Sequence, residues 1–130
     1  MALVPVVRDH ASAAFFDGTR AGRFLLPRRR DTGEHLSPHT PIAADDDVEH
    51  VPASGAGKVV SWSAVHHTRP DGGSFRLVVG IVELDEGPWW WTRLEDVDPD
   101  TDLTDLRVEV VFEPSGEEPE HEVVPCFRPA

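Results

Sequence analysis

The residues from Ser54 to Gly87, SGAGKVVSWSAVHHTRPDGGSFRLVVGIVELDEG, constrain the fold more than any other stretch of the 130-residue chain. Gly57–Thr68 and Ser74–Asp85 are rich in Val, Trp, Phe and Ile, whose branched or flat side chains suit a pleated surface. Between them, Arg69-Pro70-Asp71-Gly72-Gly73 supplies a proline-fixed φ and two residues free to take positive φ. The pattern predicts two long β-strands joined as a hairpin.

Shorter strands follow. Trp89–Leu94 comes after a turn at Glu86-Gly87-Pro88. Leu106–Glu113 alternates, with Leu106, Val108, Val110 and Phe112 facing in and Arg107, Glu109 and Glu113 facing out. His121–Phe127 is a last strand, which Pro125 assigns to an edge. Two long strands, a short one, and two more set apart by polar loops fit an all-β fold, a five-stranded OB-type barrel over residues 53–130. Residues 1–52 read as an attachment to it. There, residues 9–18 suit a short helix with Asp9 as N-cap and Gly18 as stop, and Arg23–Pro27 is extended. Residues 28–47 have almost no apolar periodicity and form an irregular excursion, after which Val48–Pro52 returns to extended structure.

Charge narrows the partners. The chain carries 12 basic and 24 acidic residues, a net −12. Residues 1–30 hold six arginines against Asp9 and Asp17, a local +4, so residues 31–130 carry −16. Such a surface repels nucleic acid, whose binding depends on neutralising phosphates. No apolar run approaches the roughly 18 residues of a membrane span, and MALVPVVRDH lacks a basic start and long apolar centre, so a cytoplasmic protein is expected. The single cysteine, Cys126, excludes an internal disulfide and a cysteine-based metal site.

Two clusters suggest binding. Arg20, Arg23, Arg28, Arg29 and Arg30 carry guanidinium forks that match phosphate oxygens; the competing reading pairs them with Asp45, Asp46 and Asp47. On a strand, Trp89 and Trp91 point one way and Trp90 the other, so one side of the strand sets indole outside the barrel. Exposed Trp marks interaction surfaces, whereas burial under a helix bearing Phe15 and Phe16 is the alternative. The histidines do not make a metal site: Pro38 and Pro41 break any helix aligning His35 with His39, and His66 and His67 face opposite ways. Asp98–Asp102 imitates a calcium loop, but Leu103 stands where that loop needs glycine. Cys126 has no activating motif, and no catalytic constellation is present in the sequence.

Several motifs together resemble the family of rubredoxin-like zinc-ribbon and OB-fold proteins known as domain of unknown function 35. They are Phe15-Phe16-Asp17-Gly18, Ser54-Gly55-Ala56-Gly57, Val82-Glu83-Leu84-Asp85-Glu86-Gly87, Val108–Phe112 and Phe127-Arg128-Pro129. The resemblance spans nearly the full length. Where the family carries its first cysteine pair this chain has Arg29 and Thr32, followed by the expected Gly33; at the second pair it has Thr40 and Ala43 around Pro41. The resemblance therefore implies a degenerate ribbon without zinc. It also implies a non-catalytic accessory subunit of a thiolase-like enzyme, a thiolase or retro-aldolase, in lipid or steroid side-chain degradation. Acyl-CoA would be a ligand of Arg20, Arg23, Arg28, Arg29 and Arg30, and Phe15, Phe16, Trp89, Trp90 and Trp91 would form the partner interface. Two alternatives remain open: an accessory subunit of an acyl-CoA hydratase, and a single-stranded nucleic-acid binder using arginines and stacking tryptophans.

Overall fold

The computed structural model describes residues 5–130; Met1–Val4, the start of the stretch inspected for a leader, lie outside the described residues. The elements run α1 (Ala13–Arg20), β1 (Leu25–Arg29), β2 (Val48–Pro52), β3 (Ala56–Thr68), β4 (Ser74–Leu84), β5 (Trp89–Leu94), β6 (Arg107–Pro114) and β7 (Val123–Pro129). The last five strands close into a barrel in the order β3-β4-β5-β7-β6 and back to β3. All neighbours are antiparallel except β5 and β7, which meet in parallel at Leu94 and Phe127. That is the five-stranded OB barrel expected of residues 53–130.

The hairpin forms where the sequence places it. Thr68 pairs with Ser74, the Arg69 N–H donates to Gly73 O at 2.6 Å, and Gly72 turns the chain at φ +88°. A bulge at Val59/Ser61 bends β3. The Ser-Gly-x-Gly motif serves close approach: a Cβ on Gly57 would lie 2.5 Å from the Glu83 carbonyl oxygen and 2.6 Å from Val82 Cγ1. Only glycine lets β3 enter the barrel so near β4. The motif at the end of β4 buries Val82 and Leu84, while Asp85 takes a bidentate pair from Arg107 at 2.9 Å for each bond.

Before the barrel, β1 and β2 pair antiparallel from Leu25↔Pro52 to Arg29↔Val48, making a two-stranded ribbon. Phe24 and Leu26 leave this region to join Val59, Val82, Val108 and Phe127 in one core, so the cap and the barrel share their buried surface.

Three local expectations change. Asp9 does not cap the helix. Its carboxylate accepts from the Ser12 N–H at 2.8 Å and Oγ at 2.7 Å, closing a separate turn, and Ser12 takes the N-cap position. Gly18 does not stop the helix either. It lies within α1 because a Cβ there would come 2.6 Å from Leu25 Cγ; Gly22, at φ +75°, ends the turn instead. Pro125 is buried inside a closed barrel rather than on an edge. It is tolerated because β7 meets β5 only at Phe127, leaving no ladder on that side for the missing N–H to break.

The cap is fastened through one carboxylate. Glu122, only 1% exposed, accepts from Arg8 Nε and Arg20 Nε, both at 2.6 Å. Thr19 Oγ1 donates to Val123 O at 2.7 Å beside it. The Arg8 hydrogen bond, then that of Arg20, holds the Glu122 carboxyl below the ordinary carboxylate range.

Two outcomes follow for urea unfolding. Gly57→Ala lowers stability by about 2 kcal/mol through overpacking. Glu122→Gln lowers it by a similar ~2 kcal/mol at pH 7, because hydrogen bonds to charged groups are lost. Because the folded-state value is depressed, this stabilisation is present above the ordinary Glu range and lost as pH falls through the folded-state value. The variant therefore shows a flatter acid limb than the parent protein.

Candidate functional site

Strand β5 carries its tryptophans to two places. Trp90 turns inward, stacked on Phe15 with ring centroids 5.5 Å apart and edge-on to Phe24 at 5.3 Å. Trp89 and Trp91 stand 43% and 57% exposed on the outside of the barrel. Register places Ser61, Ile81 and Trp91 in one row across β3, β4 and β5, with Ser63, Val79 and Arg93 in the next. Val65 and Val79 are also exposed, so this outer face is apolar and flanks a depression of about 480 Å³. Among the described residues, β3 beyond Val59 pairs only with β4, and β4 before Val78 pairs only with β3, so the end of the hairpin is a two-stranded ribbon open on both edges.

The arginines do not converge. Arg20 is held by Glu122. Arg28 binds Glu49 directly across the ribbon, and Arg30 donates to Asp47 at 2.8 Å, which is the competing reading of this run. Arg29 reaches Glu34 only at 3.8 Å, and Arg23 is exposed with no ion pair among the described residues. Two of the five are thus available to an outside anion.

A cavity of about 540 Å³ opens between α1, the ribbon, the excursion and Trp90. Phe15 and Phe16 form one wall, Leu25 and Pro27 another, and the Pro38–Ile42 stretch a third. His39 lies flat on Trp90, centroids 4.8 Å apart and planes within 10°. No local pattern foreshadows this cavity, because its walls come from four elements far apart in the chain.

The ribbon turns tightly at Gly33, and the positions where the resemblance expects cysteines hold other residues. Gly33 sits at φ +74° and donates its N–H to Arg29 O at 2.8 Å, the geometry of a knuckle. Yet a guanidinium at 29, hydroxyls at 32 and 40 and a methyl at 43 do not fit tetrahedral zinc. Among the described residues, the only grouping with ligand-like spacing lies in the barrel, where ligating atoms of Glu95, Glu113 and Cys126 fall within 4.8 Å of one another. Glu113, expected to face out, turns there instead, and its Oε2 is buried. Burial, then the Glu113 hydrogen bond and charge, raises the Glu95 carboxyl to about 7. Burial and the two carboxylates push the Cys126 thiol up to about 12, which keeps it protonated and unreactive as a nucleophile near neutral pH. In the acidic loop, Asp98 Oδ1 accepts from the Asp100 N–H at 2.9 Å and Asp100 pairs with Arg76, so its carboxylates serve the loop itself.

A closed five-stranded barrel capped by a helix and a two-stranded ribbon defines the class: an OB-fold protein. Residues 50–113 match the model of the ChsH2 C-terminal OB-fold domain. A chain of the Ltp2–ChsH2(DUF35) aldolase superposes over 94% of this chain and 96% of its own length, with a TM-score of 0.76 and 26% identity. The protein belongs to the DUF35 family of OB-fold proteins. It is 32% identical to a DUF35 domain-containing scaffold protein of Pyrococcus furiosus over 69% of this chain and 61% of that one. It is 33% identical to a probable enoyl-CoA hydratase alpha subunit of Thermomonospora curvata, over 92% of this chain and 37% of that one. The chain therefore spans less than two thirds of these curated relatives.

The raised Glu95 value has a measurable consequence. Between its ordinary 4.5 and about 7, the folded protein keeps a proton that the unfolded chain releases, so stability falls across that window and levels off above it. Glu95→Gln removes the penalty. Thermal unfolding shows the variant gaining about 1 kcal/mol over the parent protein at pH 8, after solvent screening, and little at pH 4.

Proposed function

We propose that this chain is a non-catalytic accessory subunit that docks on an acyl-CoA enzyme and supports the stability and acyl-CoA binding of the complex. The enzyme is of the thiolase-like type, a thiolase or retro-aldolase, with an acyl-CoA hydratase as the second choice. The observation that carries this reading is the match, over nearly the whole of both chains, to a chain of the Ltp2–ChsH2(DUF35) aldolase. The scaffold and alpha-subunit relatives point the same way.

The outer face of β3, β4 and β5 supplies a docking surface. Trp89 and Trp91, with Val79 beside them, place large apolar area in water, where Trp is a frequent binding hot spot. Phe15, Phe16 and Trp90 support that interface from behind, through the cap. Arg23 and Arg29 are the arginines able to meet acyl-CoA phosphates at once; Arg20, Arg28 and Arg30 would first exchange carboxylate partners. No helix among the described residues is long and apolar enough to cross a membrane, and the proposed compartment is the cytoplasm.

A tagged full-length chain is to be recovered from the native host and the eluate identified by mass spectrometry. A stoichiometric thiolase-like or hydratase-like acyl-CoA enzyme is expected. Trp91→Ala then weakens the purified complex by about 30-fold, the loss of one hot spot, while leaving the far-ultraviolet spectrum unchanged. Recovery of the chain alone, at low salt with acyl-CoA present, overturns the proposal; a salt-sensitive shift with single-stranded DNA would replace it.

A further inference from the structure

Cross-strand register carries the outer face of β5 along the whole hairpin. His67 and Phe75 form the outermost row, Val65 and Leu77 the next, then Ser63 with Val79, Ser61 with Ile81, and last Lys58 with Glu83. Phe75, Leu77, Val79 and Ile81 therefore share one side of β4, and Trp91 and Trp89 continue that side on β5. Val65, Val79, Trp89 and Trp91 all stand exposed along it. At about 3.3 Å per residue, the stripe from Phe75 to Glu83 is roughly 26 Å long.

The two ends of this stripe carry opposite charge. At the tip, Arg69 lies over the Phe75 ring at 4.7 Å with no ion pair among the described residues, and His67 stacks on the same ring. At the other end, Lys58 lies 3.9 Å from Glu83 and 3.8 Å from Asp105, one ammonium between two carboxylates. Val79 is the midpoint, with Leu77 and Ile81 equally far on either side, and Phe75 and Glu83 equally far beyond them. A half-turn about an axis lying across the strands at Val79 therefore lays the positive tip of one copy on the negative end of another, and Leu77 on Ile81. The relief of the face agrees. β5 pairs with β4 only from Val78 to Glu83, so the third strand is missing beside Leu77 and Phe75. The same half-turn sets Trp91 and Trp89 of one copy into that step on the other, which covers an open sheet edge.

We infer that two copies of this chain pair face to face through the outer surface of β3, β4 and β5, with Arg69 of each copy meeting Glu83 of the other. The contact is isologous, and three strands about 4.8 Å apart give it a total buried area on the order of 1,000 Å², the range of weak, transient association. It takes the face proposed above for an enzyme; that part rests on the accessory-subunit reading and makes dimer and enzyme complex mutually exclusive. The dimer itself is a property of the isolated chain. Its failure leaves the accessory-subunit reading standing, and failure to recover an enzyme leaves the dimer standing.

The test is sedimentation velocity of the full-length chain from about 1 μM to about 1 mM, with far-ultraviolet spectra to confirm that each variant is folded. A monomer–dimer equilibrium with a Kd on the order of tens of micromolar is expected. Trp91→Ala weakens it at least about tenfold. Arg69→Glu and Glu83→Arg, both at the surface, each weaken it by about tenfold, because every dimer contains the altered contact twice. An equimolar mixture of these two variants associates again, since Glu then faces Arg at both ends, and the double variant R69E/E83R does so by itself. A chain that stays monomeric at the highest concentration overturns the inference. So does a dimer indifferent to Trp91→Ala, which points to pairing along the open edges of the hairpin, and so do charge reversals that neither weaken association nor rescue one another.

Discussion

The ring of Phe24 is the contact on which the two parts of this molecule depend. It lies edge-on to Trp90 at 5.3 Å and to Phe127 at 5.9 Å, while Phe15 reaches it from α1 at 5.9 Å. Phe127 is also the residue at which β7 meets β5 and closes the barrel. Helix, ribbon and barrel closure therefore converge on one aromatic cluster. Each such pair contributes about 0.5–1.5 kcal/mol beyond its buried area, and the shared core adds the larger hydrophobic term. With Trp90 committed inward, strand alternation forces Trp89 and Trp91 outward. The exposed face follows from the same packing that joins the cap to the barrel.

Electrostatics fastens what the aromatics align. Glu122 has little access to water and is acceptable inside only because Arg8 and Arg20 satisfy it, and those two arginines come from the N-terminal segment and α1. Ion pairing elsewhere is more exposed, as in Arg28 with Glu49, Arg30 with Asp47 and Arg107 with Asp85, and each contributes less. The consequence for function is selective. Pairing occupies most of the basic N-terminal segment; Arg29 is held only loosely by Glu34, and Arg23 has no ion pair among the described residues. The segment turns at Gly33 in the left-handed region, and hydrophobic and aromatic contacts hold the cap, which contains no cysteine.

The barrel was legible because its signals are local. Alternation and turn chemistry placed β3, β4 and β5 to within a residue, and the orientation of the three tryptophans followed from period 2 alone. What failed involved neighbours distant in the chain. Gly18 looks like a stop until Leu25 is seen against it. Pro125 looks like an edge residue until β7 is found inside a closed barrel, laddered to β6 on one side and meeting β5 only at Phe127 on the other. Glu113 alternates with Val110 and Phe112 in sequence, yet it turns toward Glu95, just past the end of β5, and Cys126 of β7. The arginine run could be a phosphate cradle or a set of ion pairs, and only the register of β1 on β2 places Arg28 opposite Glu49.

By itself, the sequence determined an all-β barrel with a long hairpin, a proline-rich excursion without cysteines, a strongly negative body and a strand bearing indoles on both sides. These depend on residue type, spacing and local φ preferences, which each segment carries wherever it lies. Tertiary structure decided which tryptophan is core, which carboxylate each paired arginine meets, why the thiol is unreactive, and that a cavity exists between helix, ribbon and excursion. Those properties arise from distances between residues separated by tens of positions, and packing sets such distances only when the chain has closed on itself.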